Sequence, residues 1–432
     1  MVYYLSKATA YKLIVFIYFI FLSAVMYAQT DTISLSVNDA DKRFLDSNLT
    51  LLAAHYNVDA NKALIQQAKL WNNPILSTDQ NVYSNNHFFE HGKDYDGAPK
   101  GQYFIQLQQL ILTAGKRGKQ INLATTNAQI SSLQLQDLLR NLRFQLHNDY
   151  YNVGQLLSSR KLLLAQAARV SNLQTAMYAQ YKAGNIAQKD YLRIQALYIS
   201  LQQDVAEAAR NIVIAEEDLK MLLMMPGNTF IKPSDSTSDD ASLSLPDSVD
   251  GLVQTARQNN AYYLLQKSQE HYGEQNLAYQ KALRSPDVTL GPEFDKNSNY
   301  TPNYIGLGVS LPLPLWNRNQ GNIKAAQFNV SQQKTQVEAV DAQLQTNISS
   351  AYQRLLLIYN LNNSTQKDFY KDYNGLFNNM VKSYQQRQIS LLEFLDFADS
   401  YQQAQARLLE QQNSLRLAKE ELNYQVGTDV IK

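Results

Sequence analysis

The chain has 432 residues, a formal net charge of +1, 18% charged residues and no cysteine. The absence of cysteine excludes disulfides, thiol catalysis, thiolate metal sites and a cysteine-linked lipid anchor, and the balanced charge removes the electrostatic case for a nucleic-acid partner. Glutamine and asparagine carry the polarity instead, beside 28 tyrosines and only two tryptophans.

Residues 1–28 read as an export signal. Lys7 and Lys12 form a positive n-region, and Leu13 to Met26 is an uncharged apolar run, too short for a typical spanning helix, with cleavage expected after Ala28. Past Met26 no stretch is long and apolar enough to cross a bilayer as a helix, so any crossing must be by strands.

Residues 29–225 form a first structural repeat. It opens with short helices, and Trp71 then stands just before a strand pair within 74–112, expected at Ile75–Ser84 and Gln102–Leu112. Between those strands lies a polar loop containing His87-Phe-Phe-Glu-His91, which spells the H-x-x-E-H of one class of zinc proteases. That chemistry needs both histidines on one helix face, and a loop between strands does not supply it. A long helical hairpin follows at 117–225. Leu135, Leu139, Leu142, Leu146, Val153 and Leu157 keep a three/four rhythm, as do Ile194, Leu197, Leu201, Val205, Ala208 and Ile212. The hairpin turns at Tyr181–Ile186. A Ser/Asp-rich linker at 226–246 leads into the second repeat, 247–432. Its strand pair lies within 286–315, where Ile305, Leu307, Val309, Leu311 and Leu313 alternate with Gly306, Gly308, Ser310 and Pro312, opposite a strand at Asp287–Asp295. Trp316 stands just after it. The two tryptophans are expected at one rim, either as an interfacial girdle or as ordinary core packing. Pro312 and Pro314 end the ladder, and Asn317 or Asn319 can cap the second hairpin, 317–427, which turns at Tyr384–Ile389.

The two halves are copies. A spacing of 203 residues carries Tyr181, Ile186, Asp190 and Leu192 onto Tyr384, Ile389, Glu393 and Leu395, and a spacing of 201 carries Tyr103, Leu110 and Arg117 onto Tyr304, Leu311 and Arg318. All ten prolines fall outside 99–225 and 315–432. Long uninterrupted helices are expected there, because an interior proline costs ~3 kcal/mol. Four strands cannot close a membrane barrel and open edges are not tolerated in lipid. Three chains together supply about twelve strands, enough for a hollow barrel.

With its duplication, strand pairs, long hairpins and turn motif, the chain resembles the TolC family of outer-membrane efflux factors over almost everything after residue 28. The segment Leu311-Pro-Leu-Pro-Leu-Trp-Asn-Arg-Asn-Gln-Gly-Asn-Ile323 resembles the outer-membrane component of cobalt-zinc-cadmium RND efflux systems. The resemblance implies a mainly α fold with a small membrane β part: a homotrimer with a twelve-stranded barrel and an α-helical periplasmic tunnel. It implies docking on a periplasmic adaptor and an inner-membrane RND-type pump, with metal cations as one cargo, and neither enzyme activity nor a cofactor. Carried over residue by residue, it makes Glu393 and Asp396 an aperture ring and Asp190 with Tyr384 a latch at the tips. Tyr181, Gly184, Ile186 and Ile389 become tip contacts for the adaptor. The i, i+3 spacing of Glu393 and Asp396 places both on one helix face. Three-fold symmetry gathers about six such carboxylates, with raised pKa values. Arg387 departs from the family's turn motif, where glycine is usual. Two other classes stay open on the residues: a soluble periplasmic coiled-coil scaffold or efflux adaptor, and, remotely, the zinc metalloprotease through His87, Glu90 and His91.

Overall fold

The computed structural model describes residues 32–84, 86–97, 100–234, 245, 248–298, 301–364 and 367–431. The expected export signal, and residues 235–244 and 246 of the linker, lie outside them. In chain order the elements are β1 (Thr32–Leu35), α1 (Val37–Ser47), α2 (Leu49–Lys69), β2 (Ile75–Gln80), β3 (Tyr83–Ser84), β4 (His87–Phe88), β5 (Tyr103–Ile111), α3 (Lys116–Lys182) and α4 (Gln188–Leu222). They continue with β6 (Phe230–Pro233), α5 (Val249–Asn259), α6 (Ala261–Ala282), β7 (Val288–Asn297), β8 (Pro302–Ser310), α7 (Gln320–Ser364), α8 (Lys367–Gln385) and α9 (Leu391–Val426). Among the described residues no helix is long and apolar enough to cross a membrane.

The chain packs as two units. One comprises the described residues of Leu49–Asn141, Leu245–Tyr352 and Leu422–Lys432. Its centre is an antiparallel four-stranded sheet in the order β2-β5-β7-β8, so the strand pairs of the two repeats join edge to edge. Register sorts the side chains. Thr78, Ile105, Phe294 and Ile305 lie opposite one another, as do Leu76 with Leu107 and Pro292 with Leu307. The alternate rows are mainly polar or small: Ser77, Gln106, Glu293 and Gly306 form one, and Asp79, Phe104, Asp295 and Tyr304 the next, with Phe104 and Tyr304 as its aromatic members. Because side chains alternate across a strand, one face is apolar and the other carries carboxylates and amides. Gln106 Nε2 donates to Glu293 Oε2 at 2.9 Å and Gln102 Nε2 to Asp295 Oδ1 at 2.9 Å. Glycine is required on that polar face at Gly291, where a Cβ would come within 2.9 Å of the Leu107 backbone carbonyl oxygen.

Two sequence expectations shift here. β8 stops at Ser310, so Leu311 and Leu313 leave the ladder: Pro312 and Pro314 lack amide donors, and Leu315 N turns back to Leu313 O at 2.9 Å. The loop expected between β2 and β5 also contains the short hairpin β3–β4. Polar contacts fix the helix starts that follow the strands. Lys116, buried at the start of α3, donates through Nζ to Asp287 at 2.6 Å, and Thr113 N donates to the same carboxylate at 2.9 Å, fixing the entry of β7. Asn319 holds the start of α7: its Nδ2 donates to Gln280 O at 2.8 Å, and Ile323 N donates to its carbonyl at 3.0 Å.

The other unit comprises the described residues of Met1–Asn48, Leu142–Ser244 and Gln353–Glu421. Ser36 and Asp39 close a capping box at the start of α1. β1 and β6 pair in parallel. In the second hairpin the described residues of the first arm are helical up to Ser364 (α7) and again from Lys367 (α8).

Candidate functional site

Each hairpin tip is built from the same backbone bonds. At the first, Gly184 N donates to Tyr181 O and Asn185 N to Gln180 O, both at 2.9 Å. At the second, Arg387 N donates to Tyr384 O at 3.0 Å and Gln388 N to Ser383 O at 2.8 Å. Gly184 sits at φ +75° and Arg387 at φ +59°. The departure from glycine therefore leaves the turn unchanged, although a side chain in this left-handed region costs roughly 1–2 kcal/mol. Arg387 also reaches across the tips, donating through Nη2 to Asn185 O at 3.4 Å.

Beneath the turns lies an apolar cluster in which Val170, Leu173, Ile194 and Phe394 are essentially inaccessible, with Ile186, Tyr191, Tyr384 and Ile389 packed against it. Ile186 and Ile389 thus plug the tip core, and of the expected adaptor contacts Gly184 is the exposed one. Tyr181 is half-buried, its ring stacked on Tyr191 at 5.6 Å with the planes 3° apart. Tyr384 stacks on Phe394 at 5.4 Å. Its hydroxyl donates to Met177 Sδ at 3.6 Å rather than to Asp190. Burial, then the nearby charge of Asp190, pushes the Tyr384 phenol above its ordinary pKa.

Glu393 and Asp396 are both exposed on the first turns of α9. Within one chain Glu393 is also a capping residue: Ser390 N donates to its Oε2 at 2.7 Å, and Glu393 N donates to Ser390 Oγ at 3.3 Å. Those bonds hold its carboxyl below the usual range, opposite to the raised value expected from crowding alone. The first tip lacks this box, because Ala187 occupies the position equivalent to Ser390 and makes no side-chain cap. Asp190, equivalent to Glu393, is left outside a capping box.

Trp71 and Trp316 are 63% and 87% exposed in the single chain, so neither is buried in its core. Both stand at one end of the sheet, where β2 begins and β8 ends, and the Arg117 guanidinium lies 4.4 Å above the Trp71 ring. His87 and His91 do not share a helix face: His87 is in β4, and His91 follows Phe89, which turns at φ +48°. Among the described residues no group of three or more His, Cys, Asp or Glu side chains is placed to hold a metal ion.

A third cluster was not visible in the sequence. His147 on α3 lies between Asp41 of α1 and Glu420 of α9, with Nε2 3.0 Å from Asp41 Oδ1 and Nδ1 2.8 Å from Glu420 Oε2. Arg143 also donates to Asp41, at 2.9 Å. Burial alone would lower the His147 pKa, but the two carboxylates override it and raise it to about 9. The imidazole is therefore a cation at neutral pH, bridging three helices.

A profile of the family described as outer membrane efflux protein matches residues 42–223 and 252–428. The cobalt-zinc-cadmium resistance protein CzcC of Cupriavidus metallidurans is 22% identical over 280 residues, 65% of this chain and 63% of that protein. The match spans less than two thirds of that relative. The solved structure of CusC, a transmembrane channel, superposes with a TM-score of 0.73 at 16% identity, covering 91% of this chain and 92% of that one. The outer membrane protein VceC of Vibrio cholerae gives 0.70 at 14% identity, covering 91% and 96%. At these identities the likeness is one of fold.

Proposed function

The chain belongs to the outer membrane efflux protein family, and we propose that three copies form the exit duct of a tripartite efflux system, receiving cargo from a periplasmic adaptor and an inner-membrane pump. It is an outer-membrane protein whose long helices form a periplasmic tunnel. The observation that carries the duct reading is the four-stranded sheet, apolar on one exposed face and open at β2 and at β8. An open edge is not tolerated in lipid, and three sheets joined β8 to β2 close into about twelve strands, wide enough to leave a lumen. Divalent metal cations are the cargo we favour, supported by the likeness to the cobalt-zinc-cadmium resistance protein and by the acids on the polar face of the sheet. A strain lacking the chain should then become sensitive to cobalt, zinc or cadmium; unchanged tolerance to all three would remove metals as cargo.

At the tips, Glu393 and Asp396 are proposed as the charged constriction of a channel closed at rest, with Asp190 and Tyr384 helping to hold it shut. Carboxylates gathered by three-fold symmetry attract cations and repel anions. Planar-bilayer recording of the trimer should find a small, cation-selective resting conductance blocked by multivalent cations. The double substitution E393Q/D396N should abolish most of the block and selectivity, and Gln at 393 keeps the capping box so that α9 is undisturbed. D190N or Y384F should instead raise the resting conductance. Selectivity and block at wild-type levels in E393Q/D396N would reduce these acids to a helix cap and a solvated side chain.

A further inference from the structure

A groove of about 960 Å³, in the size range of small-molecule sites, lies where the β1–β6 pair covers α3 and α4. Its walls are of two kinds. Leu157, Ile212, Val213 and Phe230 supply an apolar wall on which Val213 remains 56% exposed and Phe230 38%. Arg160, Lys161 and Lys232 supply three cations. None of the three side chains has a hydrogen bond or ion pair with a described residue, and the Arg160 Nε is shielded from solvent without an acceptor among them. A buried guanidinium N–H without a partner is costly. The groove's acid does not supply one: Glu216, 1% exposed, is taken by Lys220 Nζ at 2.8 Å and by the amide of Ile231 at 3.2 Å.

The same details argue against an added peptide strand. Ser234 N donates to Leu35 O at 2.9 Å, so the amides that alternate with it, those of 231 and 233, point away from β1. Glu216 consumes the first, and Pro233 has none to offer. The outer edge of β6 is closed to strand addition, and what remains is an oily wall beside positive charge that has no partner among the described residues.

We propose that this groove binds an anionic amphiphile, its carboxylate or phosphate head held by Arg160, Lys161 and Lys232 and its hydrocarbon body laid along the apolar wall. The readout for this site is equilibrium binding rather than conductance. Purified trimer in phosphatidylcholine nanodiscs is loaded with dansyl-undecanoate, and displacement is followed by fluorescence. Dodecanoate and dodecyl phosphate should both displace the probe saturably, while dodecanol and inorganic phosphate should not. K161E/K232E should weaken binding roughly tenfold or more, as charge-assisted contacts are lost, with trimer on unheated gels and single-channel conductance unchanged. R160Q tests the buried head contact, and the double variant keeps the test valid if R160Q fails to assemble. Equal displacement by dodecanol, displacement by inorganic phosphate alone, or undiminished binding to an assembled K161E/K232E trimer would each overturn the proposal.

Discussion

Replacing His147 with Leu should destabilise the protein by about 3–5 kcal/mol at pH 7, because it leaves the Glu420 carboxylate without its cation, and Asp41 with Arg143 alone, in a site largely closed to water. The His147, Asp41 and Glu420 side chains are only 10%, 15% and 14% exposed, so solvent screens little of the loss. The pH dependence follows from the direction of the shift. A histidine whose pKa rises from 6.5 to about 9 on folding contributes fully below its unfolded value and loses that contribution as pH rises through about 9. By ~1.4 kcal/mol per pK unit the amount at stake is about 3 kcal/mol. Asp41 behaves oppositely: burial raises its pKa, but His147 and Arg143 together lower it below 3.8. Its stabilisation is present above the ordinary carboxylate range and is lost only in strong acid. Thermal melts followed by helical circular dichroism should therefore show wild-type stability falling between about pH 7 and pH 10, with H147L lower and flat over that window. Parallel curves for the two proteins would mean that the imidazole is neutral in the fold.

Asp149 provides a control of opposite sign. Burial, then the charge of Asp218, raises its pKa to about 6, so its ionised form costs stability as pH rises from the ordinary carboxylate range through about 6. D149N should stabilise the protein at pH 7.5 by about 1 kcal/mol after allowing for its partial exposure, and the gain should vanish near pH 4. A D149N melting temperature equal to wild type at both pH values would show that no such penalty exists.

The parts of this structure that were legible in the sequence are those governed by local periodicity. Alternation from Ile305 to Val309 is a property of neighbouring residues, as are the leucine rhythm from Leu135 to Leu157 and the stop at Pro312. The duplicated turn was legible because Tyr181 and Tyr384 recur in the same context, and the shared backbone bonds at Gly184 and Arg387 explain why one pattern serves both. The capping box was also spelled out, as Ser390-Leu-Leu-Glu393. What could not be read was the bridge at His147, whose partners stand 106 and 273 residues away. No local pattern marks a histidine that pairs across three helices, and Glu420 sits in the repeated Glu217-Asp218-Leu219 and Glu420-Glu421-Leu422 motif without revealing its partner.

The sheet carries the second large effect. Ile305, Leu307 and Val309 are 79%, 67% and 63% exposed on one face of β8, and exposed rows of this kind need an apolar neighbour. If that neighbour is lipid, L307R places a guanidinium in hydrocarbon at about 2–4 kcal/mol per chain near the bilayer midplane, less toward either interface. The penalty recurs in every chain of the trimer, so assembly should respond more steeply than any one chain. S310R, on the polar face, puts the same charge toward the lumen and should leave assembly near wild type. Glycine sets the boundary of that tolerance: G291A, on the paired strand β7, should be harmful although it adds only a methyl group, because its Cβ would meet the Leu107 backbone oxygen at 2.9 Å. Unheated gels of outer-membrane fractions, scored for heat-modifiable trimer, separate the three variants. Loss of trimer in L307R with trimer retained in S310R fits a lipid-facing row at Leu307. Equal loss in both would mean that the apolar row faces protein, and equal tolerance of both would mean that this strand does not cross the membrane.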